Sequence, residues 1–178
     1  AVDVGVIDLF EFDKEKNKLV PGKIQLADGG TLFFDQVDEI NIDIQSKILR
    51  SIENKEVEAV GSNYVIKVDC RIISTTNKNL QEEVVAKKFN NNLLFVINGY
   101  NLQIAPLRER KNDISLLVKN FIQYFNKTEN KNILDISNKA VNLLLHFDWP
   151  GNIRELKNAI YRAIYLCETD ILEVKDFG

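Results

Sequence analysis

The apolar positions change period along the chain, and each change marks an element. Asp28-Gly29-Gly30 is a turn signal, and the run Thr31-Leu32-Phe33-Phe34, closed by Asp35, reads as a strand buried on both faces. From Asp43 the apolar residues Ile44, Ile48, Leu49 and Ile52 recur at helical spacing, with Asp43 placed to cap the helix and Gly61 beyond its end. Tyr64 to Ser74 alternates and then turns continuously apolar before Thr75-Thr76-Asn77, which predicts a second buried strand ending in polar residues. Leu80 to Lys88 reads as a short helix and Tyr100 to Ala105 as a third strand.

From Leu107 onward the period is helical only. Asp113 can cap a helix with Leu116, Leu117, Phe121, Tyr124 and Phe125 on its apolar face, and Ser137 can cap another around Val141, Leu144 and Leu145. Trp149-Pro150-Gly151-Asn152 interrupts the chain before a long last helix carrying Ile153, Leu156, Ile160, Ala163, Ile164 and Cys167. The first 22 residues, with the charged tract Glu11 to Lys18 and Pro21-Gly22, read as an irregular surface loop. The expected architecture is an α/β core over residues 1–106 followed by an all-α subdomain over 107–178.

Composition narrows the chemistry. The chain has 178 residues, 45% apolar and 28% charged, enough for an ordinary hydrophobic core without staples. Cys70 and Cys167 stand too far apart to suggest a metal cluster or a disulfide framework, so a reducing, cytoplasmic setting is expected. No apolar run approaches the roughly 20 residues of a membrane-spanning helix. With 23 basic and 26 acidic residues the formal charge is −3, which is not the footprint of a free-standing nucleic-acid binder. The absence of methionine suggests a piece of a longer chain. The bias of 17 lysines to 6 arginines, with 20 asparagines and 20 isoleucines, suits A+T-rich coding.

The string Gly22-Lys23-Ile24-Gln25-Leu26-Ala27-Asp28-Gly29-Gly30-Thr31-Leu32-Phe33-Phe34-Asp35 resembles the second half of the central AAA+ ATPase module of bacterial enhancer-binding regulators, the partners of sigma-54. The same register continues through Ile44 to Arg50, Val60-Gly61, Val68 to Asn77, Pro106 to Arg110 and Trp149 to Leu156. The short tract Glu11 to Val20 and the string Gln45 to Arg50 look most like the NtrX branch of this NtrC family.

The resemblance implies a partial P-loop NTPase sheet with a helical lid. It places Asp35 on the Walker B aspartate, which holds the magnesium of a bound ATP, and Gln36 where the family has a water-orienting glutamate. It places Asn77 on the sensor I residue and Arg154 on the sensor II arginine, so that Asp35, Asn77 and Arg154 are the nucleotide-binding candidates. The two finger arginines fall on Asn90 and Val96. The phosphate-cradling G-x-x-x-x-G-K-[ST] occurs nowhere in the chain and belongs upstream of residue 1 in the family. The loop that engages sigma-54 is reduced to Glu11–Val20. ATP and magnesium are thus expected in a full-length parent and not on this piece.

Each motif also has a plainer reading. Asp35 and Gln36 could be a simple strand end, Asn77 could cap the next helix, and Arg154 could pair with Glu155 or Asp148. Trp149 reads as a core anchor, His146 as structural, and Arg108, Arg110 and Lys111 as a solvated linker. Three functions compete. The first is a regulatory and self-associating module between a receiver and a DNA-binding domain, answering a sensor kinase, with its ATPase site worn down. The second is a working ATPase activating sigma-54, and the third a DNA-binding fragment. A sheet lacking the family's central strand is also expected to expose edges that favour self-association.

Overall fold

The structure, a computed structural model, describes residues 10–13, 18–58 and 65–178, with the side chains of residues 10–13, 18–21 and 58 left aside. The chain forms two compact units, residues 1–101 and 102–178.

The first unit opens with two strands, β1 (Phe10–Asp13) and β2 (Lys18–Pro21), paired antiparallel from Phe10 opposite Pro21 to Asp13 opposite Lys18. The expected irregular loop is therefore a hairpin over these residues. The sequence Phe-Glu-Phe-Asp alternates with period two, a signal that the tract's charge obscured. A one-turn helix, α1 (Lys23–Leu26), leads into β3 (Thr31–Phe34). Gly29, at φ +69°, makes the intervening turn, and its N–H donates to the Asp69 carbonyl.

Helix α2 (Ile42–Asn54) follows, then β4 (Glu56–Glu58), β5 (Val65–Lys67) and β6 (Arg71–Ser74). The N-cap of α2 is Asn41, whose side chain accepts from the Asp43 N–H, so Asp43 sits in the first turn and is not the cap. The expected strand Tyr64–Ser74 is broken into two. β5 pairs antiparallel with β4, while β6 pairs parallel with β3, Thr31 opposite Arg71 through Phe34 opposite Ser74. Gly61 and Tyr64 lie outside the described residues.

β3 is not buried on both faces. Phe34 is buried, but Phe33 and its cross-strand partner Ile73 are 53% and 42% exposed. One face of this sheet, two-stranded among the described residues, packs on α2, whose Ile48 and Leu49 join Phe34, Val37 and Val68 in a buried cluster. Burying side chains of this size contributes about 1.5–3 kcal/mol each.

Helices α3 (Leu80–Val85) and α4 (Asn91–Ile97) complete the unit. Tyr100 to Ala105 forms no strand. Its alternate residues Tyr100, Leu102 and Ile104 are 73–87% exposed, and no described strand supplies the ladder that an extended segment needs.

The second unit holds α5 (Asn112–Thr128), β7 (Asp135–Ile136), α6 (Asn138–His146), α7 (Asn152–Leu166) and β8 (Ile171–Leu172). It is helical apart from the two-residue parallel pair β7–β8. Its core runs through Ile114, Val118, Ile122 and Phe125 of α5 and Leu156, Ile160, Ala163 and Ile164 of α7. This is the amphipathic spacing seen in the sequence. Ser137 caps α6 as expected, accepting from the Ala140 N–H at 3.3 Å. Asp113 does not cap α5; it lies in the first turn, where its carboxylate is 3.7 Å from Arg110.

Candidate functional site

The parallel pairing of β3 and β6 brings two loops to the same sheet edge. Phe34 and Ser74 are opposite one another, so Asp35-Gln36 and Thr75-Thr76-Asn77 leave their strands side by side. The ladder continues past the strand ends: the Thr75 N–H donates to the Phe34 carbonyl and the Val37 N–H to the Thr75 carbonyl, each at 2.9 Å.

Side chains tie the loops further. The Thr75 hydroxyl donates to Asp35 Oδ1 at 2.6 Å and accepts from the Gln36 N–H at 3.0 Å. Asp35 Oδ2 has no hydrogen bond among the described residues, and the carboxylate is half-buried at the strand tip. A carboxylate oxygen of this kind suits a hard cation such as magnesium, so the residue present fits the group. Gln36 has left-handed backbone angles, φ 55° and ψ 60°, uncommon for a residue with a Cβ. Its side-chain amide cannot take a proton from water as a carboxylate can.

Two residues further into the turn, Asp38 is buried, its side chain 3% exposed. Oδ1 accepts from the Thr76 hydroxyl at 2.6 Å and Oδ2 pairs with Lys78 Nζ at 3.0 Å. Burial pushes its pKa up, but the hydrogen bonds from Thr76 and Lys78 outweigh this and leave it below the usual carboxylate range. The hydrogen bond to Asp38 correspondingly raises the Lys78 ammonium. Asn77 lies between these two clamped neighbours, exposed and with no side-chain partner among the described residues. It does not cap α3; Asn79 does, accepting from the Gln81 N–H at 3.1 Å. Thr75, Thr76, Asp38 and Lys78 were not singled out from sequence. The signal was there, in three polar residues after a strand that runs parallel to another ending in Asp35.

The two positions onto which the sequence resemblance puts the finger arginines have structural uses here. Asn90 caps α4, its side chain accepting from the Asn92 and Leu93 N–H groups at 2.8 and 3.2 Å. Gln45, fully buried on α2, holds that cap in place. Its Oε1 accepts from the Asn90 N–H at 2.7 Å, and its Nε2 donates to the carbonyls of Ile40 and Lys88 at 2.7 and 3.1 Å. Val96 is half-buried and packs against the first unit's core. Burial, aided by Asp28 and Asp69, pushes the Cys70 thiol up, which argues against a reactive thiolate.

In the second unit, Arg154 is exposed in the first turn of α7. It pairs with neither Glu155 nor Asp148 among the described residues; Glu155 Oε2 accepts instead from the Gly151 N–H at 2.8 Å. The start of α7 is fixed by Trp149, 4% exposed, whose indole donates to the Leu144 carbonyl at 2.8 Å, and by Asn152, whose Oδ1 accepts from the Leu107 N–H. Both Trp149 and Asn152 have positive φ, 50° and 54°. His146 donates from Nδ1 to the Asn142 carbonyl one turn back, a local bond. Arg108 and Arg110 lie 3.7 Å from Glu109 and Asp113 respectively. Among the described residues no group of His, Cys, Asp and Glu forms a metal cluster, and no helix is long and apolar enough to cross a membrane.

Comparison with known proteins gives this geometry a family. Residues 12–103 match the family described as the sigma-54 interaction domain, and residues 108–178 match the AAA+ ATPase lid domain. The chain is 40% identical over 155 residues to the transcriptional regulatory protein ZraR of Escherichia coli, covering 87% of this chain and 35% of that protein. It is 42% identical over 149 residues to the transcriptional regulatory protein XylR of Pseudomonas putida, covering 84% and 26%. It thus spans about a third of the length of such relatives, or less. Among solved structures, NtrX from Brucella abortus in complex with ADP superposes with a TM-score of 0.84 at 29% identity, covering 97% of this chain and 40% of that one. NtrX in complex with ATP gives 0.82 at 30% identity, covering 89% and 37%. The chain belongs to the sigma-54 interaction domain family of transcriptional regulators and carries an AAA+ lid domain behind that region.

Proposed function

We propose that this chain is the nucleotide-responsive regulatory and assembly part of a two-component transcription regulator of the NtrX type, with an ATPase site that binds better than it hydrolyses. Asp35 would hold magnesium through its free Oδ2, with Asn77 and Arg154 toward the phosphates of ATP. When bound, magnesium would neutralise phosphate charge and orient the nucleotide. The carrying observation is Gln36: at the turn where Asp35 and the Asn77 loop share one edge, the next side chain is an amide. Replacing a general base typically costs about 10²–10⁴ in rate. Asn90 and Val96 at the finger positions add to the deficit, without simple additivity.

In this reading the core and lid (1–106 and 107–178) act in the cytoplasm between a receiver, answering a sensor kinase, and a DNA-binding domain. Output is carried by self-association of copies, and the short Glu11–Val20 tract argues against direct sigma-54 contact. Gel filtration and crosslinking of the full-length protein test it. Assemblies that change with receiver phosphorylation and with ATP are the expected result, and an invariant monomer contradicts the proposal. The rival reading, a hydrolysing sigma-54 activator, is separated by phosphate release.

A further inference from the structure

Asn77 stands at the candidate site without a side-chain partner, while the residues on either side of it are both held by one buried carboxylate. We propose that Asp38 is a positioning residue that sets where Asn77 stands relative to Asp35. This rests on the nucleotide reading given above.

The restraints are directional. The Thr76 hydroxyl donates to Asp38 Oδ1 and accepts from the Lys78 N–H at 3.0 Å, so the same hydroxyl closes the backbone around Asn77 and anchors it. Asp38 Oδ2 then holds the Lys78 ammonium on the far side. Upstream, Thr75 is locked to Asp35 by its own hydroxyl and to Val37 by its carbonyl. The loop 75–78 is therefore fastened to the turn 35–38 by five contacts, and the two that bracket Asn77 both end on Asp38. A carboxylate is suited to this because it accepts on two oxygens at once, and bonds to a charged group are about twice as strong as neutral ones. Asparagine at 38 would keep the Thr76 bond and lose the ionic hold on Lys78. With Lys78 held by Asp38, the loop side chain without a partner among the described residues is the uncharged amide of Asn77.

The test uses Asp38→Asn and, to remove the same ionic hold from the other side of the pair, Lys78→Met. Amide relaxation in the nucleotide-free chain reads the restraint directly. The order parameters of residues 77 and 78 are expected to fall from the rigid range near ~0.85 toward ~0.6, with α5 and α7 unchanged. In the full-length protein, affinity for Mg-ATP is expected to fall about tenfold, with Mg-ADP affinity changed far less, because a loop acting at the terminal phosphate separates the two. Unchanged order at 76–78 in a folded variant overturns the proposal. A loosened loop with equal losses for both nucleotides overturns the positioning role and leaves a merely structural one. Wild-type protein that binds neither nucleotide overturns the underlying functional reading, a result distinct from either.

Discussion

Gln45→Leu removes a side chain of nearly the same volume and with it three hydrogen bonds. The Asn90 N–H and the carbonyls of Ile40 and Lys88 lose their partner, in a site where Gln45 is 0% exposed. Each polar group left buried and unpaired costs about 1–3 kcal/mol. The Ile40 bond is fully buried and the other two partly, so the lower half of that range applies to two of the three. Leucine recovers some apolar burial, about 1 kcal/mol. The net expected loss is about 3 kcal/mol. Urea unfolding followed by amide signals of α2 and α4 measures it. Trp149, the only tryptophan, reports the second unit in the same sample. A loss below about 0.5 kcal/mol, the size of an ordinary surface change, would refute the reasoning. So would an unchanged Asn90 amide shift, because the cap would then stand without Gln45.

Three further outcomes follow from the same geometry. Asn90→Arg, which introduces the arginine expected there from the family resemblance, is expected to cost about 1 kcal/mol by removing the α4 cap, measured by chemical denaturation, and not to restore turnover while Gln36 remains. Asp38 has a folded pKa below its unfolded value, so its stabilisation is present above the unfolded value near 3.8 and is lost as pH falls through the folded one. Thermal melts below pH 4 should therefore drop more steeply for the wild type than for Asp38→Asn, and parallel curves would refute the assignment. Gly151→Ala would place a Cβ 2.8 Å from Glu155 Cβ, so Trp149 fluorescence should show the second unit destabilised by about 1–3 kcal/mol.

The helical second unit was the most legible part of the sequence, because its apolar positions alone specify which faces pack. Ile114 to Phe125 and Leu156 to Ile164 are core residues for the reason their spacing gives. The parallel register of β3 and β6 could be anticipated only through family resemblance, since pairing is non-local and neither strand names its partner. Caps were harder. Asp43 and Asp113 are good capping types, but backbone entry placed Asn41 and Lys111 at the caps instead. Helix α4 is an element the apolar pattern does not announce, although Asn90 followed by Leu93, Leu94 and Ile97 has a cap and a helical face. Tyr100–Ala105 shows the opposite error, a strand-like alternation without a partner strand among the described residues. At the site, Asp35, Gln36 and Asn77 were marked by motif, whereas Asp38 became visible only once two loops 38 residues apart were seen to touch.

The central claim is that the site retains nucleotide contacts but lacks the groups that drive hydrolysis. Steady-state phosphate release by the full-length protein with saturating Mg-ATP, beside a binding measurement on the same sample, tests it most directly. Binding that Asp35→Ala abolishes, with no release above background, is the expected result. Clear turnover, lost on Asp35→Ala, would contradict it.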